Sequence, residues 1–167
     1  MSIETTLQQI YDLPLSSLIR ENVNAFPVIE SLHVLAVALV FGTILIVDLR
    51  LLGLAAHRPG VRRLIAELLP FTWAAFALAV VTGGLMFMSN ALAYAANTEF
   101  RLKLVALALA GLNMAWFHST AYRRIDRWDE VLPPPATART AGLLSLLTWI
   151  TVIFLGRWIG FTLEVVF

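Results

Sequence analysis

The 167-residue chain contains no cysteine. That excludes disulfides, thiolate zinc sites, iron–sulfur clusters and cysteine nucleophiles. Charge is scarce: 14% of residues are Asp, Glu, Lys or Arg, against about a quarter in an average soluble domain. What charge there is nearly cancels, leaving +1. No global field therefore points to nucleic acid or to an acidic substrate. Lysine occurs once, as Lys103. No G-x-S-x-G, H-E-x-x-H or phosphate-binding loop is present, so hydrolytic chemistry has little support. A basic n-region is also missing. Met1–Leu18 carries Glu4 and Asp12, and the first membrane helix is expected to direct insertion itself.

What the chain does have is apolar length. Hydrophobic residues make up 59%, and the mean hydropathy is +0.80. The class this implies is a polytopic membrane protein. The run IESLHVLAVALVFGTILIVDLRLL at 29–52 is apolar on all sides between Glu30 and Asp48. A helix of that length crosses a hydrocarbon core of about 30 Å. Residues 68–98 form a second stretch without a formal charge. Pro70 suits a helix start, so the span is placed at 71–90, with a loop over 91–98. The third span is 102–122 and the fourth 140–163, the latter broken only by Arg157.

The expected architecture is an antiparallel up-down bundle of four transmembrane helices, with spans at about 28–52, 71–90, 102–122 and 140–163. It occupies 28–167 and follows a segment, 1–27, of mixed character. There Leu7, Ile10, Tyr11, Leu13 and Leu18 alternate with polar residues, and Pro14 interrupts any single helix. Short amphipathic turns at the membrane surface are one reading, a frayed terminus the other. Thr82, Gly83 and Gly84 sit mid-span, where small residues let helices approach, and they suggest a homo-oligomer.

Loop charge sets the orientation. Arg50, Arg58, Arg62 and Arg63 flank the first connection; Arg123, Arg124, Arg127 and Arg139 flank the third. The positive-inside rule puts both loops in the cytoplasm and both termini outside, in the periplasm of a Gram-negative host. Pro133, Pro134 and Pro135 stop the third helix from running on. Trp73, Trp116, Tyr122, Trp128, Trp149 and Trp158 fall mostly near span ends, as an aromatic belt does.

Titratable residues inside apolar spans are functional candidates by default, because burial in lipid is expensive. His33 lies near the outer surface of helix one, on a stripe with Val37, Val40, Ile44 and Val47. Its neutral imidazole suits a metal or haem iron; the alternative is a hydrogen bond across helices. His118 lies near the inner end of helix three, on a face with Lys103, Leu107, Gly111 and Met114. Ligation and interfacial snorkelling beside Tyr122 compete there. Helices one and three run the same way, so the two histidines differ in depth by roughly 18 Å at 1.5 Å per residue. One iron cannot join them, and two sites are expected. His57, beside Arg58 and Pro59, reads as solvated.

Arg101, Lys103 and Arg157 cluster at the outer side with His33. They suit haem propionates, since arginine pairs carboxylates through two donors. They also suit Glu30, Glu99 and Glu164, or lipid phosphate. Met86 and Met88 offer soft ligands for copper or haem, although methionine in an apolar helix is more often packing. Asp48 and Arg50 read as a local ion pair closing helix one; a proton or cation site there is the sharper alternative.

Four stretches carry a resemblance: SLHVLAVALVFGTILIVDLRLLG at 31–53, FTWAAFALAVVTG at 71–83, FRLKL at 100–104 and NMAWFH at 113–118. They resemble a family of small uncharacterised four-helix bacterial inner-membrane proteins. More distantly, they are similar to the membrane domain of copper-resistance protein D and to four-helix b-type cytochromes. The resemblance implies no established activity. The function expected is that of an inner-membrane b-type haem protein, with His33 and His118 ligating separate irons and Arg101, Lys103 and Arg157 holding propionates. A quinone or another redox protein is then the partner, alongside membrane lipid. The alternatives are a copper-handling or transport subunit and a structural subunit without a cofactor.

Overall fold

The computed structural model describes residues 2–55, 60–129 and 133–163. Those residues are all helical apart from short connections. Helix α1 (Ile3–Tyr11) starts on Ser2, whose hydroxyl accepts from the Thr5 N–H at 3.2 Å. Helix α2 (Pro14–Glu21) starts on Pro14, whose missing N–H costs nothing in a first turn. Four long helices follow: α3 (Ala25–Leu52), α4 (Val61–Ser89), α6 (Thr98–Ser119) and α7 (Ala136–Thr162). Each is long and apolar enough to cross a membrane. Between α4 and α6 lies the short helix α5 (Ala91–Ala96), and a 3₁₀ segment (Tyr122–Arg127) precedes α7.

The four spans form the expected all-α membrane architecture, packed against one another. α4 packs on α3, α3 on α7 and α7 on α6. Close approach of α3 and α7 depends on Gly142, where a Cβ would meet the Leu51 Cβ at 3.0 Å and the Asp48 carbonyl oxygen at 3.2 Å. α4 and α6 meet through aromatic rings instead. Phe87 stacks on Phe100 at 5.5 Å, and Tyr94 from α5 closes edge-on against Phe100.

The helices differ in extent from the sequence-based spans. α4 begins ten residues before the expected start, so Pro70 lies inside it. Its first turns keep Arg62, Arg63 and Glu67 exposed, which is why hydropathy alone hid them. Residues 91–98, expected as a loop, contain α5. α3 starts at Ala25, with Pro27 accommodated in its first turn. The helices α1 and α2 do not lie apart from the bundle: α1 packs on α5, and α2 on α3 and α4. Ile19 is buried there, and Arg20 donates to the Ser89 carbonyl at 3.3 Å.

At the opposite end, which carries the basic residues, the 120–129 connection folds back over the helix ends. The Asp129 carboxylate accepts from the backbone N–H groups of Val61 and Arg62 and so caps α4. Gly60 makes room, since a Cβ there would lie 2.6 Å from that carboxylate. Trp128 is buried and donates its indole N–H to the Ala121 carbonyl at 3.2 Å. It belongs to the core with Leu51, Val61, Phe117, Ile125 and Ala138, and not to an interfacial belt. Trp73, Trp116 and Trp158 are exposed, as belt residues are.

Candidate functional site: polar groups inside the spans

The α3–α4 interface carries two polar pairs. His33 Nδ1 and the Thr82 hydroxyl are 3.0 Å apart, and the Thr72 hydroxyl donates to that of Thr43 at 2.8 Å. Thr82 has one proton, and its 2.7 Å contact with the Leu78 carbonyl uses it. Thr82 therefore accepts from the ring, and Nδ1 carries the hydrogen. Nε2 is left with its lone pair. Gly83 makes the close fit possible, because a Cβ there would stand 3.1 Å from His33 Cε1.

Lys103 of α6 lies close enough to His33 for their charges to interact. Its Nζ packs over Gly156 of α7, 3.3 Å from where a Cβ would be. Two glycines on different helices thus seat an imidazole and an ammonium in the same half of the bundle. The other two cations expected at this site are placed elsewhere. Arg101 donates to the Ala95 and Ala96 carbonyls at 2.9 and 2.8 Å, closing the C-terminal end of α5. Arg157 is exposed and lies over the Phe161 ring at 5.2 Å.

His118 is exposed on α6 and is not brought near His33. Counted from their helix starts, His33 is 8 residues into α3 and His118 is 20 into α6, a depth difference of roughly 18 Å. His118 Nδ1 sits 2.8 Å from the Met114 carbonyl. A carbonyl only accepts, so in the neutral ring Nδ1 again holds the hydrogen and Nε2 the lone pair. The face beside it is open: a Cβ at Gly111 meets nothing within 4 Å. His57 and Glu164 lie outside the described residues.

Tyr94 closes the terminal end. It is buried among Phe87 and Phe100. Burial pushes its phenol up to about 12, and the Glu30 carboxylate adds to the effect.

Among the described residues no ion pair joins Asp48 to Arg50, the local pair expected from their spacing. Both are buried, and Arg50 Nη2 donates to the Asp129 carbonyl at 2.6 Å. Residues two apart on a helix point to different sides, a signal legible in the sequence. Asn113 was not singled out by sequence reasoning. It is an amide inside an uncharged span, and its Nδ2 donates to the Ala141 carbonyl of α7 at 2.9 Å.

The fold and these polar groups define a four-span membrane protein with intramembrane histidines held by hydrogen bonds. Residues 23–162 match a family of unknown function, DUF6644, and the chain belongs to that family. No curated protein and no solved structure matches it. The more distant likeness to copper-resistance protein D and b-type cytochromes thus has no match behind it.

Proposed function

We propose that the protein binds haem b at His33 and at His118 and moves electrons within the membrane. The observation carrying this reading is shared by the two rings: each has Nδ1 engaged and Nε2 left as a lone-pair donor. Histidines that ligate metals are usually oriented in this way, by a hydrogen bond from the other ring nitrogen. Haem would supply a one-electron iron couple, and His33 and His118 would each hold it through one imidazole nitrogen. A bare metal ion asks for more. Among the described residues no group of three or more His, Cys, Asp or Glu could hold one. Copper held by His33 with both methionines is disfavoured too, because Met86 and Met88 are two positions apart and so point to nearly opposite sides of α4. Lys103, facing the His33 side, suits a propionate; Arg101 is engaged by α5 carbonyls and Arg157 lies over the Phe161 ring.

The reading extends to location. The basic end faces the cytoplasm of a bacterial inner membrane and the termini face the periplasm, supported by the eight arginines that flank the first and third connections in the sequence. Both histidine sites open toward the bundle surface, so a homo-oligomer completes their enclosure, and a quinone or another redox protein exchanges the electrons.

The test is an absorption spectrum of protein purified with haem available. A Soret band is expected. His33→Ala should remove one part of it and His118→Ala another, with the double variant nearly colourless. Loss of all absorbance from either folded single variant would replace two sites by one. Absence of any chromophore, with both histidines dispensable, would end the haem reading.

A further inference from the structure

The connection after α6 is a basic turn with a fixed seat. Its 3₁₀ segment, Tyr122–Arg127, turns inward at every third residue, the period of that helix. Tyr122 packs against the core, Ile125 is 1% exposed and Trp128 is 5% exposed. The Trp128 indole bond to the Ala121 carbonyl and the Asp129 cap on α4 tie the segment to the helix ends. Between the inward positions, Arg123, Arg124 and Arg127 are exposed.

These three guanidiniums have no counter-charge of their own. The two carboxylates beside them are taken by α4. Asp126 pairs with Arg62 at 2.8 Å, and Asp129 accepts from the Val61 and Arg62 N–H groups. Among the described residues no ion pair involves Arg123, Arg124 or Arg127. Like charges on one ordered turn repel, and an anion placed among them removes that repulsion.

Position says which anion. α6 has 22 residues and is about 33 Å long at 1.5 Å per residue, close to the thickness of a hydrocarbon core. It ends at Ser119, and Trp116 in its last turn is exposed, as a belt residue is. The basic turn starts three residues later and so stands at the level of the lipid headgroups. Residue type agrees. Lysine would satisfy the positive-inside rule as well, yet the one lysine, Lys103, is at the other end of α6. A guanidinium offers phosphate oxygens two parallel N–H donors, whereas an ammonium is a point charge.

We propose that Arg123, Arg124 and Arg127 form a binding surface for the phosphate groups of anionic phospholipids in the leaflet at the basic end. The surface follows from the four-span architecture and is independent of the histidines and of haem.

The experiment uses the whole protein in mixed micelles of mild detergent with phosphatidylglycerol or phosphatidylcholine of the same acyl chains. A ligand that binds only the folded state raises the unfolding midpoint with its concentration. Phosphatidylglycerol should raise the midpoint by several degrees above phosphatidylcholine, and sodium phosphate added to the phosphatidylcholine micelles should not reproduce the rise. The triple variant Arg123→Gln, Arg124→Gln, Arg127→Gln should lose the difference between the lipids. The triple variant Arg123→Lys, Arg124→Lys, Arg127→Lys should keep it but need severalfold more phosphatidylglycerol for half the effect. Arg50, Arg58, Arg62, Arg63 and Arg139 remain in both variants to orient the chain. Native mass spectrometry of the wild-type protein from an equimolar mixture of the two lipids gives a second readout if the glutamine variant does not fold. Phosphatidylglycerol should then be retained in severalfold excess. Equal midpoints in the two lipids, or retention without preference, would overturn the proposal. So would a phosphatidylglycerol response that survives in the folded glutamine variant. A rise produced by sodium phosphate alone would also overturn it, assigning the turn to a soluble phosphate.

Discussion

His33 and Thr82 face each other across α3 and α4 at 3.0 Å, and Thr43 and Thr72 repeat the pairing at 2.8 Å. The second pair lies ten residues further along α3 and ten residues back along α4, as antiparallel helices in one register require. Between the pairs, Ala36, Val40 and Ala75 are buried and contribute only packing. Lipid is as apolar as these side chains, so they cannot fix the register alone, and the polar pairs do. Thr82→Val leaves the His33 N–H without its side-chain acceptor. The midpoint of thermal unfolding in detergent should fall, by about 1–2 kcal/mol in stability. Thr148→Val should change it little, because that hydroxyl bonds only its own helix, at the Leu144 carbonyl.

Adjacent glycines should respond differently to one methyl group. Gly83→Ala places a Cβ 3.1 Å from His33 Cε1, a tight contact, while at Gly84 nothing lies within 4 Å. Gly83→Ala should displace the imidazole and lower the midpoint by about 1–3 kcal/mol, as overpacking does. Gly84→Ala should be neutral or slightly stabilising, since alanine is the better helix former. Thermal melts of the two variants, measured side by side, check this.

Asp129 should matter far more than its neighbour Asp126. Asp129 accepts from two backbone N–H groups at the start of α4. Asp126 makes an exposed ion pair with Arg62 at 2.8 Å. Asp129→Ala should cost about 1–3 kcal/mol, and Asp126→Ala under about 1 kcal/mol. Protease nicking near residue 60 should also increase in Asp129→Ala.

Tyr94 sets a limit on the alkaline side. Its phenol is pushed up to about 12 from an ordinary 10.0. The folded state thus holds the proton more tightly than the unfolded chain. That stability is fully present below about pH 10 and is lost as pH rises through about 12, a contribution of roughly 2–3 kcal/mol. Tyr94→Phe should flatten this part of the midpoint-versus-pH curve.

Reporter fusions test the orientation. A periplasm-dependent reporter after Phe167 should be active, and one inserted near residue 58 silent. The reverse pattern would invert the chain.

Much of the scaffold was legible in the sequence. Four stretches of spanning length with few charges leave lipid as their only solvent, and helix as their only backbone solution. His33 was legible as costly to bury, and its face was right: Val40 on the same stripe is buried. The inner starts of helices were harder to read, because the solvated first turns of α4 resemble a loop in composition.

Which groups meet was not legible. The cap on Val61 comes from Asp129, 68 residues away. Three outer cations look equivalent in the sequence, yet Lys103 turns inward, Arg101 closes α5 and Arg157 stays exposed. Sequence determined that this chain spans the membrane four times, because hydropathy and length act locally. Tertiary structure decided that Thr82 orients His33 and that Asn113 reaches the Ala141 carbonyl of α7. Those meetings depend on helix rotation and on close approach at Gly83 and Gly142, which no single helix specifies.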